Sequence, residues 1–166
     1  MLEKKWLTID GAAIPDLVKT FKEEVALGNR EVHIGTDSQQ YGRNTEFVTI
    51  ITILNPGKGG RVIYARERTD RIKSLRERLL KEVWMSVNIA LELNAFIDDA
   101  SSLTVHVDAN PNVKFKSSAY VKELAAMVVS QGFKAVLKPD AWCASHAADH
   151  VVKGKGIASQ YGRHSR

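Results

Sequence analysis

Residues 31–67 constrain the fold most. Three runs with the composition of strands follow one another there: EVHIGTD at 31–37, TEFVTIITIL at 45–54 and RVIYARE at 61–67. Each is rich in β-branched and apolar residues. The NPGKGG segment between the second and third has the composition of a hairpin connection. Three consecutive strands joined in this way suggest an antiparallel meander.

The rest of the chain alternates. Ile14, Leu17, Val18, Phe21 and Val25 keep helical spacing ahead of the meander, and Gly28-Asn29 stops that helix. The first ten or so residues are ambiguous apart from the turn signal Asp10-Gly11. After the meander, a long helix is predicted from about Ser74, its N-cap, to Leu93. A fourth strand follows at 103–108. Ser117 is then a candidate cap for a helix ending near Gly132. A fifth strand at 134–138 is broken by Pro139, and a last helix is expected from about Ala141 to Lys153. The later β-α-β-α order suggests parallel strands with helical crossovers. The expected fold is therefore α/β: a mixed five-stranded sheet, helices on both faces and an extra N-terminal helix. Residues 1–153 read as one domain and 154–166 as a polar tail.

Two strands end in an acid where a core strand has no use for one. VHIGTDSQ carries Asp37 and VHVDAN carries Asp108. If these strands are parallel neighbours, their carboxyl ends lie about 5 Å apart, where open α/β sheets build their sites. Two carboxylates there repel, so one holds a proton or a cation lies between them. Hard divalent ions such as Mg²⁺ or Mn²⁺ favour these ligands.

The long helix offers a third acid. At about 100° per residue, Leu75, Leu79, Val83, Val87, Ile89, Ala90 and Leu93 fill one apolar arc. Glu82 falls inside that arc and Glu77 and Glu92 outside it, with small Ser86 one turn from Glu82. A carboxylate on a core-facing stripe needs a partner. In the last helix, His146, Asp149 and Lys153 share a face beside inward-packing alanines. Each residue also has a plainer reading. A strand-end aspartate is often a turn former. Glu82 alone suits an acid paired with Arg78 or Arg76, and Asp149 alone a solvated helix residue. The joint pattern of four acids in the order strand, helix, strand, helix favours a site.

Those four positions resemble the ribonuclease H superfamily, whose sheet has the order 3-2-1-4-5 and whose acids come from the same elements. The phrases HIGTDSQ, SLRERL, HVDANP and KPDAWCAS are similar to those of a bacterial family of uncharacterised ribonuclease H-like proteins. The superfamily usually has glycine after the first aspartate, where this chain has Ser38. The resemblance implies a two-metal phosphodiesterase acting on RNA, DNA or their hybrid. Asp37 would bridge two Mg²⁺ or Mn²⁺ ions, Glu82 and Asp108 would hold one, and Asp149 would complete the other. His146 would carry a proton, with Asp140 as a reserve ligand. Ser38, Gln39 and Lys138 are candidate substrate contacts. His33 and His106 read as structural.

Lys58–Arg78 holds eight basic residues against Glu67, Asp70 and Glu77, so Arg66, Arg68 and their neighbours offer a phosphate-binding edge or a solvated basic face. The formal charge of +5 leans the same way. A lone cysteine, Cys143, allows no intrachain disulfide and points to the cytoplasm. No stretch is apolar enough for a membrane helix, and neither a P-loop nor GxGxxG is present. The competing functions are a non-catalytic nucleic-acid-binding module of the same fold and a metal-dependent phosphatase or nucleotide hydrolase.

Overall fold

The meander forms as expected, and it is longer than the apolar runs suggest. In the computed structural model, which describes residues 3–143, β1 is Trp6–Thr8, β2 Ala13–Ile14, β3 Glu31–Tyr41, β4 Asn44–Asn55 and β5 Gly59–Asp70. β3 and β4 are antiparallel from Glu31↔Leu54 to Tyr41↔Asn44, and β4 and β5 from Asn44↔Asp70 to Asn55↔Gly59. Gly42, at φ +52°, takes the left-handed conformation in the two-residue turn between β3 and β4. Asp37 is therefore not a strand terminus. β3 continues through Ser38, Gln39, Gln40 and Tyr41, because β4 supplies a partner for every one of them.

The helices are α1 Leu17–Val25, α2 Leu75–Asn94 and α3 Val121–Val129, and the last strands are β6 Ser102–Val107 and β7 Lys134–Leu137. β6 runs parallel to β3, and β7 parallel to β6. The sheet order is β2-β1-β5-β4-β3-β6-β7. Its five central and right-hand strands reproduce the expected 3-2-1-4-5 arrangement. The strand count is corrected from five to seven, because the N-terminal residues add a small hairpin to the β5 edge. Trp6 pairs with Ala65 and with Ile14, and Gly11, at φ +89°, turns the chain between β1 and β2.

Sequence chemistry accounts for the helix ends. Asp16 caps α1 by accepting from the Lys19 amide, and Ser74 caps α2 by accepting from the Glu77 amide. Beyond α1, Gly28 and Asn29 both adopt positive φ. The helix expected from Ser117 starts later. Lys116–Tyr120 forms a 3-10 turn, and α3 follows it. Ser117 caps nothing: its buried hydroxyl accepts from the Asn110 amide at 3.0 Å and pins the loop after Asp108.

One face of the sheet carries the main core. Val32 and Ile34 of β3, Ile51 and Ile53 of β4, Ile63 and Ala65 of β5, and Val105 and Val107 of β6 pack there against Phe21 of α1, Leu79, Val83, Val87 and Ala90 of α2, and Leu124 of α3. All three described helices thus lie on one face. On the other, Val48, Ile50 and Tyr64 meet Trp142 and Cys143. The helix expected on to Lys153 lies outside the described residues from position 144. No helix among the described residues is long and apolar enough to cross a membrane.

Candidate metal centre

The parallel pairing of β3 with β6 is what makes the site. It runs from Glu31↔Ser102 to Gly35↔His106 and then stops. Carried two residues further, the same step sets Asp37 opposite Asp108. β3 goes on with β4 while the chain after β6 turns away, so the two carboxylates stand where the sheet divides. Glu82 reaches the same place from α2. One carboxylate oxygen from each of Asp37, Glu82 and Asp108 lies within 4.8 Å of the other two. Glu82 is 2% exposed, Asp108 9%, and Asp37 half-buried.

Two rungs fix α2 against β3. Ser38 Oγ donates to Glu82 Oε1 at 2.6 Å, and one helical turn on, Ser86 Oγ and Thr36 Oγ1 are 2.8 Å apart. Four helical residues rise about 6.0 Å and two strand residues about 6.6 Å, so both rungs fit at once. The sequence marked Ser86 only as small; its hydroxyl belongs to this ladder. Arg76 binds Glu123 of α3, not Glu82. The Asp37 carboxylate also accepts from the Ser38 amide at 2.8 Å. Replacing Ser38 with Ala removes a hydroxyl bond to a buried carboxylate. The expected result is a loss of about 1–3 kcal/mol of stability in urea unfolding and, for any divalent cation the cluster holds, binding weaker by about 10–100-fold in calorimetry.

Lys138, expected to meet phosphate, follows β7 and places its ammonium on Asp108 Oδ1. Gln39 is buried on β3, opposite Glu46. Arg66 and Arg68 both bind Glu46, at 3.1 and 3.0 Å, and Arg66 lies 5.7 Å from the Tyr64 ring centre. Val48 pairs with both Asp37 and Arg66, which puts Arg66 in the same row of the sheet as Asp37, two strands or about 10 Å away. Glu46, which the sequence did not single out, thus orients both arginines. Asp140 is exposed and stands outside the three-acid cluster. His146 and Asp149 lie outside the described residues.

The two strand histidines form a pair beneath the site. The Trp142 amide donates to His106 Nδ1 at 3.2 Å, so His106 carries its proton on Nε2 and donates to His33 Nδ1 at 2.8 Å. His33 then keeps its own proton on Nε2, 3.5 Å from Glu31. Burial, with a smaller push from His33, lowers His106 to about 4. Burial also lowers His33, with Lys134 acting the same way and Glu31 opposing both. Between the unfolded value of 6.5 and about 4, the unfolded chain binds protons that the fold excludes. Stability is thus full above pH 6.5 and is lost as the pH falls toward 4. The urea midpoint is expected to drop across that window, and His106→Gln to flatten the drop.

Three converging carboxylates offer hard oxygen donors at the carboxyl end of a parallel strand pair, the place and chemistry of a divalent-cation site in an α/β protein. They come from the first strand of the meander, the long helix and the next parallel strand. The chain belongs to the ribonuclease H-like family, whose sequence model matches residues 14–153. It is also similar to "Uncharacterized protein YkuK" of Bacillus subtilis (strain 168), at 27% identity over 153 residues, covering 84% of this chain and 89% of the relative. No solved structure gives a significant match.

Proposed function

We propose that the protein is a divalent-metal-dependent nuclease that hydrolyses phosphodiester bonds in RNA, DNA or their hybrid. The observation that carries this reading is the convergence of Asp37, Glu82 and Asp108 in a ribonuclease H-like chain. Those three residues would hold Mg²⁺ or Mn²⁺. The bound metal would supply an activated water and stabilise the leaving oxygen of an in-line displacement.

The chain's own residues do the rest. Ser38 holds Glu82 from the sheet side, so that carboxylate meets the site in one rotamer. Arg66 and Arg68, aligned by Glu46 on the same face as Asp37, form the edge that receives backbone phosphates. Arg68 is 61% exposed along its side chain and Arg66 29%, so both can meet a polyanion without leaving Glu46. Asp149 is the proposed fourth ligand, completing a second ion site. His146, three residues before it in the sequence, is the proposed proton carrier to the leaving oxygen.

The test is cleavage of fluorescently labelled single-stranded RNA, single-stranded DNA, duplex DNA and RNA–DNA hybrid with Mg²⁺ or Mn²⁺, each against a chelator control. Metal-dependent cutting of any of them is the expected result. Binding without cutting under every metal condition would sink the nuclease reading in favour of a binding module.

A further inference from the structure

Lys138 has a place in this site that a phosphate contact does not explain. Its backbone amide donates to the carbonyl of Ala109, the residue after Asp108, at 3.1 Å. Its ammonium lies on the Asp108 carboxylate. The strand registers give the reason. His106 pairs with Gly35 on one side and Val136 on the other. Two residues further along, that row reads Asp37, Asp108, Lys138. The lysine is the next residue across the sheet from two clustered acids, tied there by main chain and side chain together.

The surroundings strengthen the pair. The Asp108 side chain is 7% exposed and the Lys138 side chain 23%. Partial burial lowers the screening between them and makes either charge costly to leave alone. A surface lysine would be spread over many rotamers, but this one is held to a single carboxylate.

We infer that Lys138 is a built-in counter-ion that competes with the metal for Asp108. The inference rests on the metal-site reading above. In the metal-free protein its ammonium offsets the repulsion among Asp37, Glu82 and Asp108. A divalent ion that takes Asp108 as a ligand displaces the ammonium, which swings toward solvent. No bond is made or broken beyond this exchange of ion partners. The metal affinity of the wild type is therefore held down, and Lys138 sets its level. This is a positioning role: Lys138 touches a ligand rather than the metal or the substrate.

The two remaining acids explain why a lysine is tolerable there. Glu82 has its bond from Ser38 and Asp37 has its bond from the Ser38 amide, so neither depends on Lys138 to stay in place. The lysine can leave Asp108 without the cluster losing its frame.

Mn²⁺ titration by calorimetry on the full chain tests the inference, with wild type, Lys138→Gln and Lys138→Arg. Lys138→Gln removes the competing charge and is expected to bind Mn²⁺ at least about tenfold more tightly. It is also expected to melt at a lower temperature without metal and to show a larger rise in Tm with it. Lys138→Arg keeps the charge and is expected to stay within about threefold of wild type. If Lys138→Gln proves unfolded without metal, its Mn²⁺-driven refolding midpoint supplies the affinity instead. Unchanged or weaker binding by Lys138→Gln overturns the counter-ion role and leaves the metal site standing. If none of the three proteins binds Mn²⁺, the metal-site reading and this inference fall together.

Discussion

Asp37→Asn is expected to lower metal-dependent cleavage by about 10³-fold or more and to leave the fold intact or slightly more stable. The two effects have one cause. Asp37 stands beside Glu82 and Asp108, with ligand oxygens of all three inside 4.8 Å. Losing its charge removes a donor from any bound cation, and positioned charge at such a centre carries several kcal/mol of the barrier. The same change removes like-charge repulsion from the metal-free protein. The side chain stays nearly isosteric, and its carbonyl oxygen can still accept from the Ser38 amide. Cleavage assays and thermal melts with and without Mn²⁺ read both effects. A variant that cuts as well as wild type would show that the cluster is not the reactive centre. One that loses activity only because it melts early would reduce Asp37 to a structural residue.

Trp6→Ala is expected to cost about 3–5 kcal/mol, the usual range for emptying a large buried aromatic site. For a chain of this size that is a fall of roughly 10 °C in Tm. Trp6 is 1% exposed, in the main core. It pairs with Ala65 on β5 and Ile14 on β2, so one indole fastens the N-terminal hairpin to the meander. The first strands lie at the edge of the sheet farthest from β6. Cleavage at temperatures well below the melt is therefore expected to match wild type. A loss under 1 kcal/mol in urea unfolding would mean that the hairpin is an ornament on the domain. A parallel loss of cleavage at low temperature would mean that it reaches the site.

The contrast between these two residues shows what the sequence could reveal. Asp37, Asp108 and Glu82 stood out because each breaks the apolar pattern of its own element, a local signal. The meander and the later parallel strands followed from the three strand runs and the alternation, and the order of the central strands came with the resemblance to the ribonuclease H superfamily. Trp6–Thr8 and Ala13–Ile14 stayed ambiguous because strands this short carry no periodicity, and only the pairing with β5 decides them. The length of β3 was missed for a related reason. DSQQY is polar, and what keeps it extended is β4 across the gap, a tertiary effect that propensity does not contain. Ser117 read as a helix cap, but its hydroxyl is taken by a backbone amide of the loop after Asp108. Lys138 was legible as a cation near the site. Its carboxylate partner was not, because that depends on the register across three strands.

The rungs between α2 and β3 have one more consequence, for how such a chain can change length. Ser74 caps α2 eight residues before Glu82, a span of about 12 Å along the axis. That stretch acts as a ruler: inserting or deleting one residue within it would turn Glu82 by about 100° and carry it off Ser38. Beyond Ala90 the helix has no such appointment to keep. Descendants of this sequence can gain or lose residues in the loop between Ile97 and β6 more readily than between Ser74 and Ser86, where the count is fixed.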